Sequence, residues 1–592
     1  MAQDIVKIGG AAGFWGDSCV GAPQLVDVPG IRYIVFDYLA ELTMSILATA
    51  RAKNRDLGYA TDFVDVVARE ILPKCRERGI RLIANAGGVN PAACGRALER
   101  LAGELGVSIK VAVIDGDEVL SLVPHLRKRG VADFYTGAAM PERLLSANAY
   151  FGALPIARAL KLGADVVITG RVVDSAVTLG ALIHEFGWSE RDYDRLAAGS
   201  LAGHLIECGC QATGGLFTDW KDVPDWANMG YPVLECSADG SFVVTKPQDT
   251  GGIVTPPSLA EQLLYEIGDP ANYVLPDVVC DFTEVRMESA GKDRVRVTGA
   301  RGKPPTGTYK VSATHAQGFR AIGTLTITGF DAAAKARRSG EAILERTRAI
   351  FRRRGLADYS AVDLSVLGTA AVYGPHARKQ DLQEAVMRLA VSHADRSALE
   401  IFAREISPAG TSWSPGTTGS LNAGRPNVAP QIKQFAFLLP KSEATPRLSI
   451  GGMAEDVVVP RGEDARLQPG ADADGSGPQP PADAVTVPLI RIAHGRSGDK
   501  GDHSNVGILA RKPEYMPWIR SQVTAGALRE YLGHLVRGKA TRYSLPGINA
   551  LNFVLEQALG GGGMASLRND PLGKGMAQLV LAMPVRIPKE LL

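Results

Sequence analysis

The chain has 592 residues, of which 45% are apolar and 22% charged, and its 65 Lys and Arg against 63 Asp and Glu give a formal net charge of +2. This composition is typical of globular proteins and argues against a disordered or fibrous chain. Because no excess positive charge is present to neutralise phosphates, we expect no nucleic-acid partner.

The sequence also predicts a protein of the cytoplasm. No run of 18 apolar residues occurs, so we expect no membrane span and no membrane partner. The first residues lack the pattern of a secretion signal. Seven cysteines are few for this length, which favours free thiols in a reducing compartment.

The first 235 residues alternate β-rich segments with helical ones. Predicted strands cover 5–8, 31–37, 81–88, 111–115 and 165–170, and predicted helices between them include 39–53 and 92–105. Several of these strands run directly into glycine turns. Such alternation predicts an α/β fold with a mostly parallel, Rossmann-like sheet covered by helices.

The pattern changes in residues 236–445. Val295 and Val297 alternate with arginines, and Leu325 and Ile327 alternate with threonines. A period of two predicts strands with one solvated face, so this part is expected to be α+β and antiparallel. A basic helix is predicted at 332–354, and its charges are typical of a solvated face.

A segment rich in Pro, Gly, Asp and Ser, at 461–483, is the clearest linker. It predicts a core of residues 1–445, a linker of 446–485 and a small α+β domain of 486–592. In that last domain we expect a strand at 485–493, a glycine loop, a strand at 506–510, a helix at 515–536 and a strand at 579–581.

Ligands of open parallel sheets bind beyond the carboxyl ends of the strands, so the turns there are the first candidates for a site. The turn after the first strand contains Gly10, Gly13 and Asp17. Its amides suit anion binding and Asp17 suits a helix cap, although it matches neither the dinucleotide nor the P-loop pattern. A plain structural turn is the alternative.

The turn NAGGVN follows the third predicted strand and supplies Asn85, Gly87, Gly88 and Asn90. The two asparagines could orient a carbonyl or a carboxylate of a substrate. Asn and Gly also tolerate positive φ, so ordinary turn chemistry is an equal alternative.

The turn ITGRVVDS places Arg171 and Asp174 at the same predicted sheet edge. Arg171 offers a planar fork for a carboxylate or a phosphate, and Asp174 lies on the first turn of the next helix. The alternative is an internal Arg–Asp ion pair with a helix cap.

Residues 203–215 concentrate His204, Glu207, Cys210 and Gln211 among four glycines. Glu207 or His204 could exchange protons with a substrate, and Cys210 and Gln211 could contact it. No second Cys/His cluster completes a closed zinc site, so we expect no metal. A buried free thiol is the usual structural alternative for such a cysteine.

The polar segment 493–507 opens the second unit and carries Arg496, Ser497, Lys500 and Asn505. Its cations and glycines resemble a phosphate-binding nest. Two aspartates at 499 and 502 would repel an anion unless they are paired with those cations. The alternative is a hydrogen-bonded loop that fixes the domain.

Four motifs resemble the acyclic terpene utilisation AtuA family: IGGAAGFWGDS, NAGGVN, ITGRVVDSA and IECGCQATGG. The tail motif AHGRSGDKGDHSNVGILAR resembles the ferredoxin-like domain fused to many members of that family. The resemblance covers residues 1–445 and 486–588. It implies a cytosolic catabolic protein of geraniol and citronellol breakdown, acting on CoA thioesters beside a biotin-dependent acyl-CoA carboxylase.

We therefore expect an acyl-CoA hydratase or lyase without a covalently bound cofactor, in a homo-oligomer. Glu207 or Asp174 would exchange protons, glycine amides would bind the thioester enolate, and Arg171 and Lys500 would hold an anionic group or CoA phosphates. One alternative is a non-catalytic subunit that organises the carboxylase pathway. The other is a metal-dependent hydrolase.

Overall fold

The computed structural model describes residues 5–378, 382–419, 424–463, 467–468, 470, 472, 477–563 and 565–592. Its largest sheet there has eleven strands, of which the five central ones are parallel. In spatial order these are Val6–Ala12, Ile31–Phe36, Arg81–Ala84, Val166–Thr169 and Val111–Asp115. They are largely buried, as expected of strands covered on both faces.

Antiparallel strands extend this sheet at both edges. One edge adds Val233–Cys236, Phe242–Thr245, Val295–Thr298 and Arg286–Ser289, and the other adds Arg447–Ile450 and Met453–Asp456. The sheet is therefore mixed, and the prediction of a mostly parallel sheet is wrong, although the α/β class holds. A period-two pattern identifies a strand but not the sheet that it joins, so strands from beyond residue 235 were not expected here.

Helices cover both faces of the large sheet because its side chains alternate between two apolar cores. Tyr33 and Val35 face one core, whereas Ile34 and Phe36 face the other. The first core contains helices Leu154–Lys161, Ala176–Phe186, Tyr193–Ile206 and Pro256–Leu264. The second contains Gly21–Val26, Arg69–Arg78 and Pro91–Glu104.

Two further helices, Glu41–Lys53 and Val123–Lys128, follow strands of the large sheet. The predictions of helices at 39–53 and 92–105 are confirmed to within two residues. None of the helices among the described residues is long and apolar enough to cross a membrane.

A six-stranded sheet is built around the long strand Thr308–Thr328. Its other members are Ala361–Leu367, Glu384–His393, Thr417–Gly419, Ala429–Pro440 and Ser146–Ala149. The predicted basic helix is confirmed as Ala332–Arg354 and packs on this sheet together with Arg396–Glu405; the short helix Ala409–Ser412 follows. A small sheet holds Tyr273–Val274, Val279–Asp281 and Arg301–Lys303.

The C-terminal unit has a four-stranded antiparallel sheet of Ala493–Lys500, His503–Ala510, Ala550–Leu555 and Ala540–Leu545. Strands Val485–Pro488 and Pro584–Ile587 pair beside it, and the helices are Met516–Gln522, Ala525–Tyr531 and Met576–Leu581. Leu509, Leu545 and Ala550 belong to the same apolar cluster as the first core of the large sheet, so this unit packs directly on the rest of the chain.

Three predictions for this unit are wrong. The polar segment after residue 493 is a β-hairpin, Ala493–Lys500 with His503–Ala510, rather than a glycine loop. The helix expected at 515–536 is broken into two at Val523, and residues 579–581 are helical rather than extended. The hairpin buries polar side chains on both faces, such as those of the adjacent Arg496 and Ser497, and this hides its period. A three-residue apolar run, in turn, cannot distinguish helix from strand.

The predicted linker at 461–483 lies partly outside the described residues. Residues 464–466, 469, 471 and 473–476 belong to that part. Of the remainder, Asp472 accepts hydrogen bonds from Arg520 at 2.7 Å and from Ser544 at 2.8 Å, so this segment contacts the C-terminal unit.

Candidate active site

Polar side chains follow the carboxyl ends of the central parallel strands. Asp37 follows Ile31–Phe36, and Asn85 follows Arg81–Ala84. Asn85 is fully buried; it donates to the Asp37 carboxylate and accepts the backbone N–H of Tyr38 at 2.7 Å. Asn85 therefore fixes the orientation of Asp37 at this edge of the sheet.

Arg171 lies at the same edge, and its guanidinium contacts three neighbouring residues. Its guanidinium donates to the Leu39 carbonyl at 2.7 Å and to the Asp174 carboxylate at 2.9 Å, and it lies 4.1 Å from the centre of the Tyr150 ring. Only 3% of Arg171 is exposed. The Asp117 carboxylate accepts the Arg171 backbone N–H at 2.9 Å. This geometry makes Arg171 a residue that positions Asp174, which is 29% exposed.

His204 and Glu207 form a buried dyad at the end of helix Tyr193–Ile206. The Nδ1 atom of His204 lies 3.1 Å from a Glu207 carboxylate oxygen, and Nε2 lies 3.2 Å from the Leu263 carbonyl oxygen. Both ring nitrogens thus face acceptors, whereas a neutral imidazole has only one N–H to donate. The dyad therefore holds one additional proton, either on the imidazole or on the carboxyl.

The electrostatics of the dyad favour retention of that proton. Burial raises the pKa of Glu207, and the charge of Asp174 adds to this effect, while His204 opposes it. Burial by itself would lower the pKa of His204, but the Glu207 charge and hydrogen bond raise it above its usual value. A carboxyl and an imidazole that share a proton in this way suit proton transfer near neutral pH.

Asp37 adds a third acidic group to this cluster. Burial, followed by the charge of Asp174, raises the pKa of Asp37 well above its usual range, and Glu207 contributes in the same direction. Arg171 acts against these effects. The carboxyl of Asp37 is only 7% exposed, so its protonated form is favoured.

The hairpin of the C-terminal unit brings cations to the site. Lys500, at the end of its first strand, lies 3.3 Å from Glu266, and Lys574 lies 3.5 Å from Glu266 and 3.4 Å from Asp499. The side chains of Lys500 and Lys574 are each 39% exposed. The charge of Lys500 also lowers the pKa of Glu207, which places this cation within reach of the dyad.

A further acid and cation, Glu41 and Lys310, belong to the same cluster of charges. The Tyr150 hydroxyl donates to the Glu41 carboxylate at 2.8 Å, and the Lys310 ammonium lies 3.9 Å from Glu41. Burial acts to raise the pKa of Glu41, but the charges of Lys310, Arg171 and Lys500 lower it to about 2. Glu41 is therefore ionised and is surrounded by positive charge.

The predicted glycine amides are already hydrogen-bonded within the chain. Gly10 N–H donates to Pro232 O at 3.0 Å, and Gly13 N–H donates to Asp17 at 2.9 Å. Gly87 N–H donates to the Thr169 carbonyl at 3.0 Å, and Gly88 N–H to the Asn85 carbonyl at 3.4 Å. These four amides are not available to bind an oxyanion.

The glycines instead allow close backbone packing. A Cβ atom on Gly10 would lie 2.7 Å from the Ile206 carbonyl oxygen, and one on Gly13 would lie 2.7 Å from the Cys208 carbonyl carbon. The first strand and its turn can therefore contact the chain segment that carries the dyad.

Three other predicted residues have contacts that stabilise turns. Asp17 accepts the hydroxyl of Tyr231 at 3.0 Å, in addition to the Gly13 amide. The Asn90 side chain donates to the Leu57 carbonyl at 2.8 Å. Burial raises the pKa of the Cys210 thiol to about 12, so it stays protonated.

The remaining predicted residues attach the C-terminal unit. Arg496 donates to the Gln211 side-chain carbonyl, and the Ser497 hydroxyl donates to Gly573 O at 2.7 Å. The Asn505 amide donates to the Leu264 carbonyl at 2.5 Å and accepts the Glu266 backbone N–H at 2.9 Å. Of the predicted residues, the structure thus brings together Asp174, Glu207, His204, Arg171 and Lys500. The side chains of Arg496, Ser497 and Asn505 instead bond the paired strands of the hairpin to neighbouring segments.

Sequence reasoning missed Asp37, Glu41, Lys310, Glu266 and Lys574. Only Asp37 had a usable signal, because it ends a predicted strand at the edge where ligands bind. In the part of the chain that the structure describes, no group of three or more His, Cys, Asp or Glu is arranged to hold a metal ion.

Comparison with known proteins gives two matches along the chain. The family model described as acyclic terpene utilisation family protein AtuA matches residues 6–450. The model described as AtuA ferredoxin-like domain matches residues 487–586. No curated protein matches the chain by sequence.

Proposed function

The chain belongs to the acyclic terpene utilisation AtuA family, as its motifs predicted, and so takes part in acyclic terpene utilisation; within that role we propose that it is an enzyme. Its substrate would be a CoA-activated branched or isoprenoid acid, and the reaction would add water to this substrate or remove water from it. The observation that carries this proposal is the buried His204–Glu207 pair, whose nitrogen and oxygen atoms lie 3.1 Å apart, beside the partly exposed carboxylate of Asp174.

Hydration of an unsaturated thioester needs one group to take a proton and another to give one. Water forms the new C–O bond at the β-carbon while the carboxylate of Asp174, which is paired with Arg171, accepts one of its protons. The α-carbon receives the proton held by the His204–Glu207 pair, and Asp174 lies close enough to this pair to affect the pKa of Glu207. Dehydration is the same sequence in reverse.

Negative charge develops on the thioester oxygen during this reaction, and cations can stabilise it. Because the glycine amides at the sheet edge are already hydrogen-bonded, we assign this role to Lys500, together with Lys310 beside Glu41. Lys500 is the better candidate, since 39% of its side chain is exposed and its charge acts on both Glu207 and Glu41.

The position of Lys500 also favours an enzyme over a non-catalytic subunit that organises an acyl-CoA carboxylase pathway. If the C-terminal unit were only a docking module, the residues of the core would complete the central cluster without Lys500. Here the C-terminal unit supplies Lys500 and Asp499 to the same cluster as the dyad, from the same chain.

The test is native mass spectrometry of the purified protein with geranyl-CoA, a hydroxylated branched glutaryl-CoA and free CoA. We expect an acyl-CoA to be retained and its mass to change by 18 Da, the mass of one water. Retention without any mass change would contradict the proposed hydration. Binding of none of the three, with stable co-purification of a carboxylase, would support the organising subunit instead.

A further inference from the structure

A second cleft lies apart from the dyad, between the six-stranded sheet and the C-terminal unit. Its volume is about 470 Å³, which is enough for a small metabolite. The sheet contributes Gln317, Ser392 and Lys433 to its lining, and the C-terminal unit contributes Gly561 and Arg568. None of the residues proposed above for proton transfer lines this cleft.

Two cations in the cleft lack a carboxylate partner among the described residues. The ammonium group of the half-buried Lys433 makes no hydrogen bond or ion pair with the described residues. The guanidinium of Arg568 donates only to backbone carbonyls, that of Ala558 and, at 3.1 Å, that of Leu535. The acid of the lining, Asp363, forms its ion pair with the buried Arg388, at 3.3 Å.

The cleft also holds a buried hydroxyl that is free to bind a ligand. Ser392 is 2% exposed, and within the described chain its hydroxyl makes no hydrogen bond. The His393 ring beside it is fully used, since Nδ1 accepts the Asp395 backbone N–H at 2.8 Å and Nε2 lies 3.0 Å from the Ala357 carbonyl. Both ring nitrogens of His393 thus contact the backbone, and Ser392 is the available donor.

We propose that this cleft binds a small polyanion, a molecule that carries a phosphate group or several carboxylates. Lys433 and Arg568 supply the positive charge, and Ser392 supplies a neutral donor. Low-dielectric walls on both sides strengthen the attraction of such a cleft for anions. The ligand would touch both the six-stranded sheet and the C-terminal unit, and the inference does not depend on the proposed hydratase or lyase activity.

Isothermal titration calorimetry of the full chain with inorganic pyrophosphate and, separately, with citrate tests this proposal. We expect at least one of them to bind with one molecule per chain, and the tighter of the two distinguishes a phosphate ligand from a polycarboxylate. The variant Lys433→Gln should weaken that binding about tenfold, because it loses a charge-assisted contact. Ser392→Ala should weaken it about threefold.

The matched control is Lys53→Gln, which removes an equal charge from an exposed helix position. Its affinity should equal that of the unmodified protein. Absence of binding of both probes, or an equal affinity in Lys433→Gln and Lys53→Gln, would overturn the proposal. Because the readout is binding alone, a failed hydration assay leaves this result unaffected.

Discussion

Two parts of the C-terminal hairpin, Ala493–Lys500 with His503–Ala510, differ in what their polar side chains do. At the base, here the paired residues 493–498 and 505–510, Arg496, Ser497 and Asn505 are at most 8% exposed and bond to neighbouring segments of the fold. At the tip, Asp499 and Lys500 are 18% and 39% exposed and face the carboxyl cluster. One glycine-rich motif therefore attaches a domain and supplies charge to a site, and burial separates the two roles.

The largest effect is expected from Glu207→Gln, which removes the carboxyl group of the proton-holding dyad. Turnover should fall about 100-fold or more, because an amide cannot give a proton to the α-carbon. The thermal midpoint should stay close to that of the unmodified protein, since the amide can still bond to His204. Glu70→Gln, on an exposed helix surface, is the control. Normal turnover in Glu207→Gln would remove this residue from the mechanism.

At the base, Asn505→Ala should act on stability first. It removes the bonds to the Leu264 carbonyl, the Glu266 N–H and Asn552, and it leaves buried groups without partners. We expect a loss of about 2–3 kcal/mol in the free energy of unfolding, measured as a lower thermal midpoint. An unchanged midpoint would show that the base does not hold the unit in place.

At the tip, Lys500→Gln should act on catalysis with little change in stability. We expect kcat/KM to fall about tenfold, because one cation facing the thioester is lost. The thermal midpoint should hardly move, because partly exposed ion pairs contribute little to stability. Lys574→Gln is the matched control, since Lys574 contacts the same Glu266 with equal exposure. An equal loss in both variants would contradict a special role for Lys500.

A further effect concerns the pH dependence of the attachment. Burial raises the pKa of Glu261 to about 8, and this side chain accepts the Thr218 N–H next to Gly495. Since the folded state binds this proton more tightly than the unfolded state, stability is highest below pH 4.5 and declines as the pH rises to about 8. Thermal midpoints of Glu261→Gln should decline less over this range. Parallel curves for the two proteins would argue against this source of pH dependence.

The sequence predicted most of the parallel centre of the fold. Buried Val- and Ile-rich runs followed by glycine turns located the central strands, and helical periodicity located the helices at 39–53 and 92–105. The antiparallel edges were not predicted, because their strands pair over long distances in sequence. Val233–Cys236 and Val6–Ala12, for example, pair although more than 200 residues separate them.

For the site, the sequence indicated residues whose strand ended in a recognisable turn, and the structure places two of them, Arg171 and Asp174, in contact. It did not indicate Lys310 and Glu266, which reach the cluster from the long strand and from the end of another helix without any local motif. It also assigned the glycine amides to the ligand, because sequence does not show that Gly10 and Gly87 already donate to backbone carbonyls.

The central claim is that the hairpin tip and the dyad bind the same thioester. The most direct measurement is a crystal structure of the Glu207→Gln variant with geranyl-CoA, in which loss of turnover preserves the bound substrate. We expect the thioester group to lie within hydrogen-bond distance of Lys500 and of the side chain at position 207. A thioester bound elsewhere, including the basic cleft at Lys433, would contradict it.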